Sequence, residues 1–200
     1  MRLTFLQKTL RGLIGVAALA FVWLLLWADY RADQADEQEP AFRAAFELTD
    51  HTGVVRTQKD YAGRWMLAFF GFANWSDVCS TTLAEVAAVM DGPAEDAAQV
   101  QPLFTTIDPK HDTPSALADF MPSFEAGIVG LTGTPDHFNR TADSFHIFIE
   151  RVQEAAAPDG YTMGHSSQLF LFDPEDGYLK AWSYGTPGEE IRDDLRGRAA

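Results

Sequence analysis

A single cysteine, Cys79, is the one thiol in this chain of 200 residues. It follows an apolar run, Trp65-Met66-Leu67-Ala68-Phe69-Phe70, and a loop over Gly71–Asp77. It stands where a helical pattern begins, with Leu83, Val86, Ala87 and Met90 at i, i+3, i+4 and i+7. Backbone N–H groups at a helix head stabilise an anion and lower a thiol pKa, so Cys79 is placed to act as a thiolate. A lone cysteine is equally at home as a small buried hydrophobe, and position alone leaves both readings open. One sulfur excludes an internal disulfide, dithiol cycling within the chain and an all-cysteine zinc site.

His165 is the second candidate, with Met163 two residues before it. Alone it reads as a hydrogen-bonded structural residue or as a metal ligand. His51, His111, His137 and His146 are scattered without H-x-x-x-H spacing, which argues against a separate His-rich zinc site. Asp108 and Asp112 sit in a turn-forming segment and read as turn and cap residues before they read as ligands. Gly71 and Gly133 are turn glycines and belong to no phosphate loop.

The elements that must position these residues alternate. Phe46–Asp50, His51-Thr52-Gly53 and Val54-Val55 predict a short hairpin. Trp65–Phe70 reads as a central strand covered on both faces. The helix carrying Cys79, capped by Ser76 or Asp77, ends at Asp91-Gly92-Pro93. Pro102–Ile107 is a second strand, and Thr113-Pro114 caps a helix that turns Leu117 and Phe120 inward. Ile128–Leu131 is a short apolar piece. Thr134-Pro135 opens a helix to Ser144, and Phe145–Val152 alternates as a strand. Gln168–Asp173 and Tyr178–Trp182 flank a Pro-Glu-Asp-Gly turn, the clearest hairpin of all. Thr186-Pro187 precedes a C-terminal helix. The order predicts an α/β sandwich with a mixed sheet flanked by helices.

The N-terminus is different in kind. Arg2, Lys8 and Arg11 precede residues 12–28, an apolar stretch without a charge. Trp23, Trp27 and Tyr30 follow the pattern of an aromatic belt, and acidic residues come next. Residues 1–28 therefore predict an N-terminal transmembrane anchor, N-in and C-out, in preference to a cleaved signal peptide. Residues 29–42 read as a polar linker and residues 43–200 as one exported domain. The chain carries 29 acidic against 15 basic residues, for a net charge of −14. That balance excludes general phosphate-backbone binding, and 46% hydrophobic residues exclude a disordered chain.

Four motifs, in order, resemble the Sco/SenC family. They are Phe70-Gly71-Phe72 with Asp77-Val78-Cys79 and Thr81-Thr82-Leu83, then Asp108-Pro109 with Asp112-Thr113-Pro114, then Gly130–Pro135, then His165-Ser166 with Leu171–Pro174. The resemblance covers roughly residues 45–185. It implies a membrane-anchored thioredoxin-like fold that handles copper during cytochrome c oxidase assembly. The family's copper site resembles a CxxxC pair plus a distant histidine. On this chain the second cysteine corresponds to Cys79, the histidine to His165, and the first cysteine position is Trp75. Indole nitrogen only donates and is no substitute for a thiolate.

The resemblance thus implies a metallochaperone or assembly factor rather than a catalyst, with copper held by Cys79 and His165; Asp77 or Met163 could supplement the pair, although Met163 reads first as core or loop packing. Its partner would be a respiratory oxidase subunit or another assembly factor, and its place the cytoplasmic membrane, single-pass, with the C-terminal domain in the periplasm. Two alternatives stay open. One is a thioredoxin-like interaction module without metal, anchored through Trp75. The other is a single-cysteine thiol peroxidase or reductase, which would borrow a resolving thiol.

Overall fold

In a computed structural model the chain divides into two units, Met1–Glu39 and Pro40–Ala200. The structure describes residues 21–24, 42–73, 77–93, 97–124, 127–155, 157 and 160–199. In the first unit, residues 21–24 are helical with exposed side chains. The expected single-pass, N-in placement with a periplasmic C-terminal domain is corrected: among the described residues no helix is long and apolar enough to cross a membrane. A span needs about 20 residues of helix. The rest of residues 1–28, and the linker up to residue 41, lie outside the described residues.

The second unit is built on a mixed sheet. Its strands are β1 (Glu47–Asp50), β2 (Val55–Thr57), β3 (Trp65–Gly71), β4 (Val100–Thr106), β5 (Val129–Thr132), β8 (Leu169–Phe172) and β9 (Tyr178–Trp182), in the order β2-β1-β5-β4-β3-β8-β9. Strands β3, β4 and β5 run parallel, while β1 and β8 join antiparallel on either side. A separate antiparallel pair, β6 (Ile149–Gln153) and β7 (Tyr161–His165), completes the strands among the described residues. The helices are α1 (Asp77–Met90), α2 (Pro114–Phe120), α3 (Pro135–Ser144) and α4 (Gly188–Ala199).

Strand character follows composition. Every residue of β4 and β8 is buried, as are six of the seven in β3, because unbroken apolar runs suit a strand covered on both faces. Phe69, Phe70, Phe104 and Phe172 are fully buried, and Phe145 packs edge-on against Phe70 and Phe172 at 5.0 and 5.1 Å. The first hairpin is held by Asp50, whose carboxylate accepts from Thr52 N, Thr52 Oγ1, Val54 N and Arg56 Nε. Burial alone would raise the Asp50 carboxyl. The hydrogen bonds from Thr52, Arg56 and the Val54 amide override it and hold the group well below the usual carboxylate range.

Both threonine–proline caps form as expected. Thr113 Oγ1 accepts from Ala116 N at 3.3 Å, and Thr134 Oγ1 accepts from His137 N at 3.2 Å. Helices α1 and α4 lie close together. Gly188 N donates to Glu85 Oε2 at 2.6 Å, and a Cβ on Gly188 would meet the Glu85 carbonyl at 2.6 Å, so the approach requires glycine.

One boundary differs from the sequence pattern. Phe145 does not begin a strand; it closes α3, and β6 starts at Ile149. Ile147 N donates to Ala142 O and His146 N to Asp143 O, with His146 left-handed at φ 53°. That bond pair is a Schellman helix end. Glycine usually occupies the left-handed position, so a histidine there hides the stop.

Candidate metal centre

The topology gathers three segments at one edge of the sheet. Parallel β3 and β4 end together, with Gly71 paired to Thr106. The chain leaving β3 runs through Phe72 and Ala73 to the head of α1, where Cys79 is the third helical residue. The chain leaving β4 forms the turn of Asp108 to Asp112. Antiparallel β8 starts at the same edge, with Leu169 opposite Phe69, and His165 ends β7 just before it. Loops at the carboxyl ends of parallel strands are the usual place for ligand chemistry in open α/β sheets.

His165 is half-buried. Its ring stands edge-on to Phe69 at 6.3 Å and to Phe72 at 6.4 Å. Its Nδ1 lies 3.1 Å from the Ser166 carbonyl oxygen. A carbonyl only accepts, so Nδ1 carries the proton and Nε2 holds the free lone pair. Burial lowers the His165 pKa, outweighing the opposing hydrogen bond to Ser166, and this keeps the imidazole in its neutral, ligating form. Fixing one ring nitrogen on a backbone carbonyl is the ordinary way a histidine is oriented toward a metal.

Asp112 does a different job. Its Oδ2 accepts from Ala73 N at 2.9 Å and from Thr106 Oγ1 at 2.6 Å, and the residue is 1% exposed. It fastens the segment that leads to α1 onto the end of β4. Burial pushes its carboxyl up, with the hydrogen bonds from Thr106 and Ala73 opposing. Asp108 sits in a second network, its Oδ2 accepting from Tyr161 Oη at 2.8 Å and lying 2.8 Å from His111 Nδ1. Both aspartates are thus turn residues with structural partners.

Trp75 lies outside the described residues, as do the side chains of Asp77 and Cys79. Met163 is partly buried against the core, two residues before His165. His51 Nδ1 accepts from Gly130 N at 3.1 Å, and His137 lies 3.9 Å from Glu47, so these histidines sit apart with partners of their own. Among the described residues no three His, Cys, Asp or Glu side chains are grouped to hold a metal ion. Reasoning from sequence missed Tyr161, the Phe69–Phe72 clamp on His165 and the Ser166 carbonyl. Phe72 and Ser166 lay within motifs but carried no assigned role; Tyr161 carried no signal, because the segment around it shows no strand pattern.

The family model for SCO1/SenC matches residues 34–200. The mitochondrial protein SCO2 homolog of Bos taurus is 32% identical over 193 residues, covering 92% of this chain and 72% of its own length. The SCO2-like protein of Rickettsia felis is 32% identical over 152 residues, covering 76% and 74%. Among solved structures, Bradyrhizobium japonicum ScoI with copper bound superposes with a TM-score of 0.68 at 31% identity, covering 78% of this chain and 99% of its own. Arabidopsis thaliana ScoI with copper bound gives a TM-score of 0.73 at 26% identity, covering 80% and 98%. The mixed sheet with flanking helices is therefore a thioredoxin-like fold. A family match across most of the length, joined to relatives of this identity and coverage, means that the chain belongs to the SCO1/SenC family.

Proposed function

We propose that this chain takes up copper and passes it on in support of cytochrome oxidase assembly, through a site reduced to Cys79 and His165. The observation that carries the reading is the His165 ring: neutral, fixed through Nδ1, with its Nε2 lone pair available at the sheet edge that also launches α1. A thiolate and an imidazole suit Cu(I), whose soft character tolerates few ligands. Trp75 stands where the family pattern has its first cysteine, so the second thiolate is missing and affinity is reduced relative to a full site. The copper chemistry rests on Cys79 and His165.

Copper titration of the full chain tests this. Wild type takes up one Cu(I), the Cys79→Ala, His165→Ala double variant loses at least tenfold in affinity, and Trp75→Cys gains at least tenfold. Equal binding by wild type and the double variant contradicts the reading. No uptake by wild type, with strong uptake by Trp75→Cys, would favour a metal-free interaction module instead.

A further inference from the structure

The face of the β6–β7 hairpin that ends on His165 also carries a groove of about 400 Å³, lined by Lys110, Pro135, Phe138, Arg151, Tyr161 and Met163. Tyr161, Met163 and His165 alternate along β7 and so share one face, spanning about 13 Å of strand. Across the ladder Arg151 pairs with Met163 and Ile149 with His165, which puts Arg151 on that same face and Glu150 on the opposite one. The groove therefore sets two cations beside an apolar floor, on the strand face that continues from Met163 to His165.

The charge of that track runs against the rest of the molecule. Acidic residues outnumber basic ones 29 to 15 over the chain, yet the charged rim here is Lys110 and Arg151, both exposed. The Arg151 guanidinium lies 3.6 Å from the Tyr161 ring centroid and the Lys110 ammonium 6.0 Å from it. Stacking orders both cations without neutralising them. The one carboxylate of the lining, Asp108, is 9% exposed and its Oδ2 already engages Tyr161 and His111.

We propose that this track docks an extended acidic segment of the protein that exchanges copper with this chain: its carboxylates meet Arg151 and Lys110, its apolar side chains lie on Met163 and Phe138, and its metal-binding end reaches His165. The proposal rests on the copper reading above for what happens at His165, but the docking stands on the groove's own charge and shape. Electrostatic complementarity of this kind sets partner choice and encounter rate.

The test titrates the full chain with the hexapeptide Glu-Asp-Phe-Glu-Asp-Met, capped at both ends, and with its counterpart carrying Lys at each acidic position. The acidic peptide binds wild type, Arg151→Glu weakens it at least tenfold, Lys110→Glu at least threefold, and added salt weakens it further. Lys110 lies in an exposed turn, so its variant keeps the test valid if the hairpin variant misfolds. Equal affinity for wild type and Lys110→Glu, preference for the Lys peptide, or binding of phosphatidylglycerol vesicles in place of the acidic peptide overturns the proposal. Cu(I) titration of the same samples separates the two readings. Failure of wild type to bind copper contradicts the copper site, while the peptide titration decides the docking track independently.

Discussion

The His165 side chain is fixed in one tautomer and one orientation, as the proposed copper role requires. Its Nδ1 proton is committed to the Ser166 carbonyl, two phenylalanines limit the ring's tilt, and burial disfavours the charged form. The folded-state pKa lies below the ordinary histidine value of 6.5. Between the two values the unfolded chain binds a proton that the folded chain does not. Stability is thus fully present above pH 6.5 and falls as pH drops from there toward the folded value. Urea unfolding of the full chain at about pH 7.5 and 5.5 reads this: wild type loses more stability on acidification than His165→Gln. An identical loss in both would contradict the burial account. Cys79, by contrast, depends on its helix. Its proposed role as a ligand is legible only through the motif that surrounds it, since a lone cysteine carries no signal of its own.

At the scale of elements, the local rules did most of the positioning. Thr113-Pro114 and Thr134-Pro135 announce α2 and α3 because a threonine oxygen and a proline ring solve the first turn of a helix in a way visible in the residues themselves. The hairpins at Asp50–Val54 and Asp173–Gly177 are equally visible, because Asp50 and Asp173 take the turn amides directly. What stayed hidden depends on distant contacts. The end of α3 at His146 has no glycine to mark it, and β7 becomes a strand only by pairing with β6. The link of Asp112 to Ala73 joins positions 39 apart, beyond any local pattern. That link has a measurable consequence. Asp112→Asn keeps an acceptor oxygen and sheds the charge that burial opposes, so it stays within about 1 kcal/mol of wild type. Asp112→Ala strands the Ala73 amide and the Thr106 hydroxyl, costs about 1–3 kcal/mol, and speeds hydrogen exchange at Ala73. Equal effects of the two substitutions would remove Asp112 as the fastening between β4 and the approach to α1.

At the largest scale, the fold of the second unit supplies the sheet edge, and the proposed Trp75 substitution supplies the distinction. The sheet's aromatic core, with Phe69 fully buried beneath the His165 ring, keeps that edge in place. The copper-site pattern that the motifs resemble has two cysteines, and this chain has one cysteine in total. The proposed copper chemistry therefore turns on whether a thiolate at the head of α1 and the Nε2 of His165 act on the same ion. X-ray absorption at the copper edge of the Cu(I)-loaded full chain measures that directly. One sulfur scatterer together with an imidazole shell is the predicted result, with the sulfur lost in Cys79→Ala and a second gained in Trp75→Cys. A copper shell without sulfur, or one unchanged in Cys79→Ala, would contradict it.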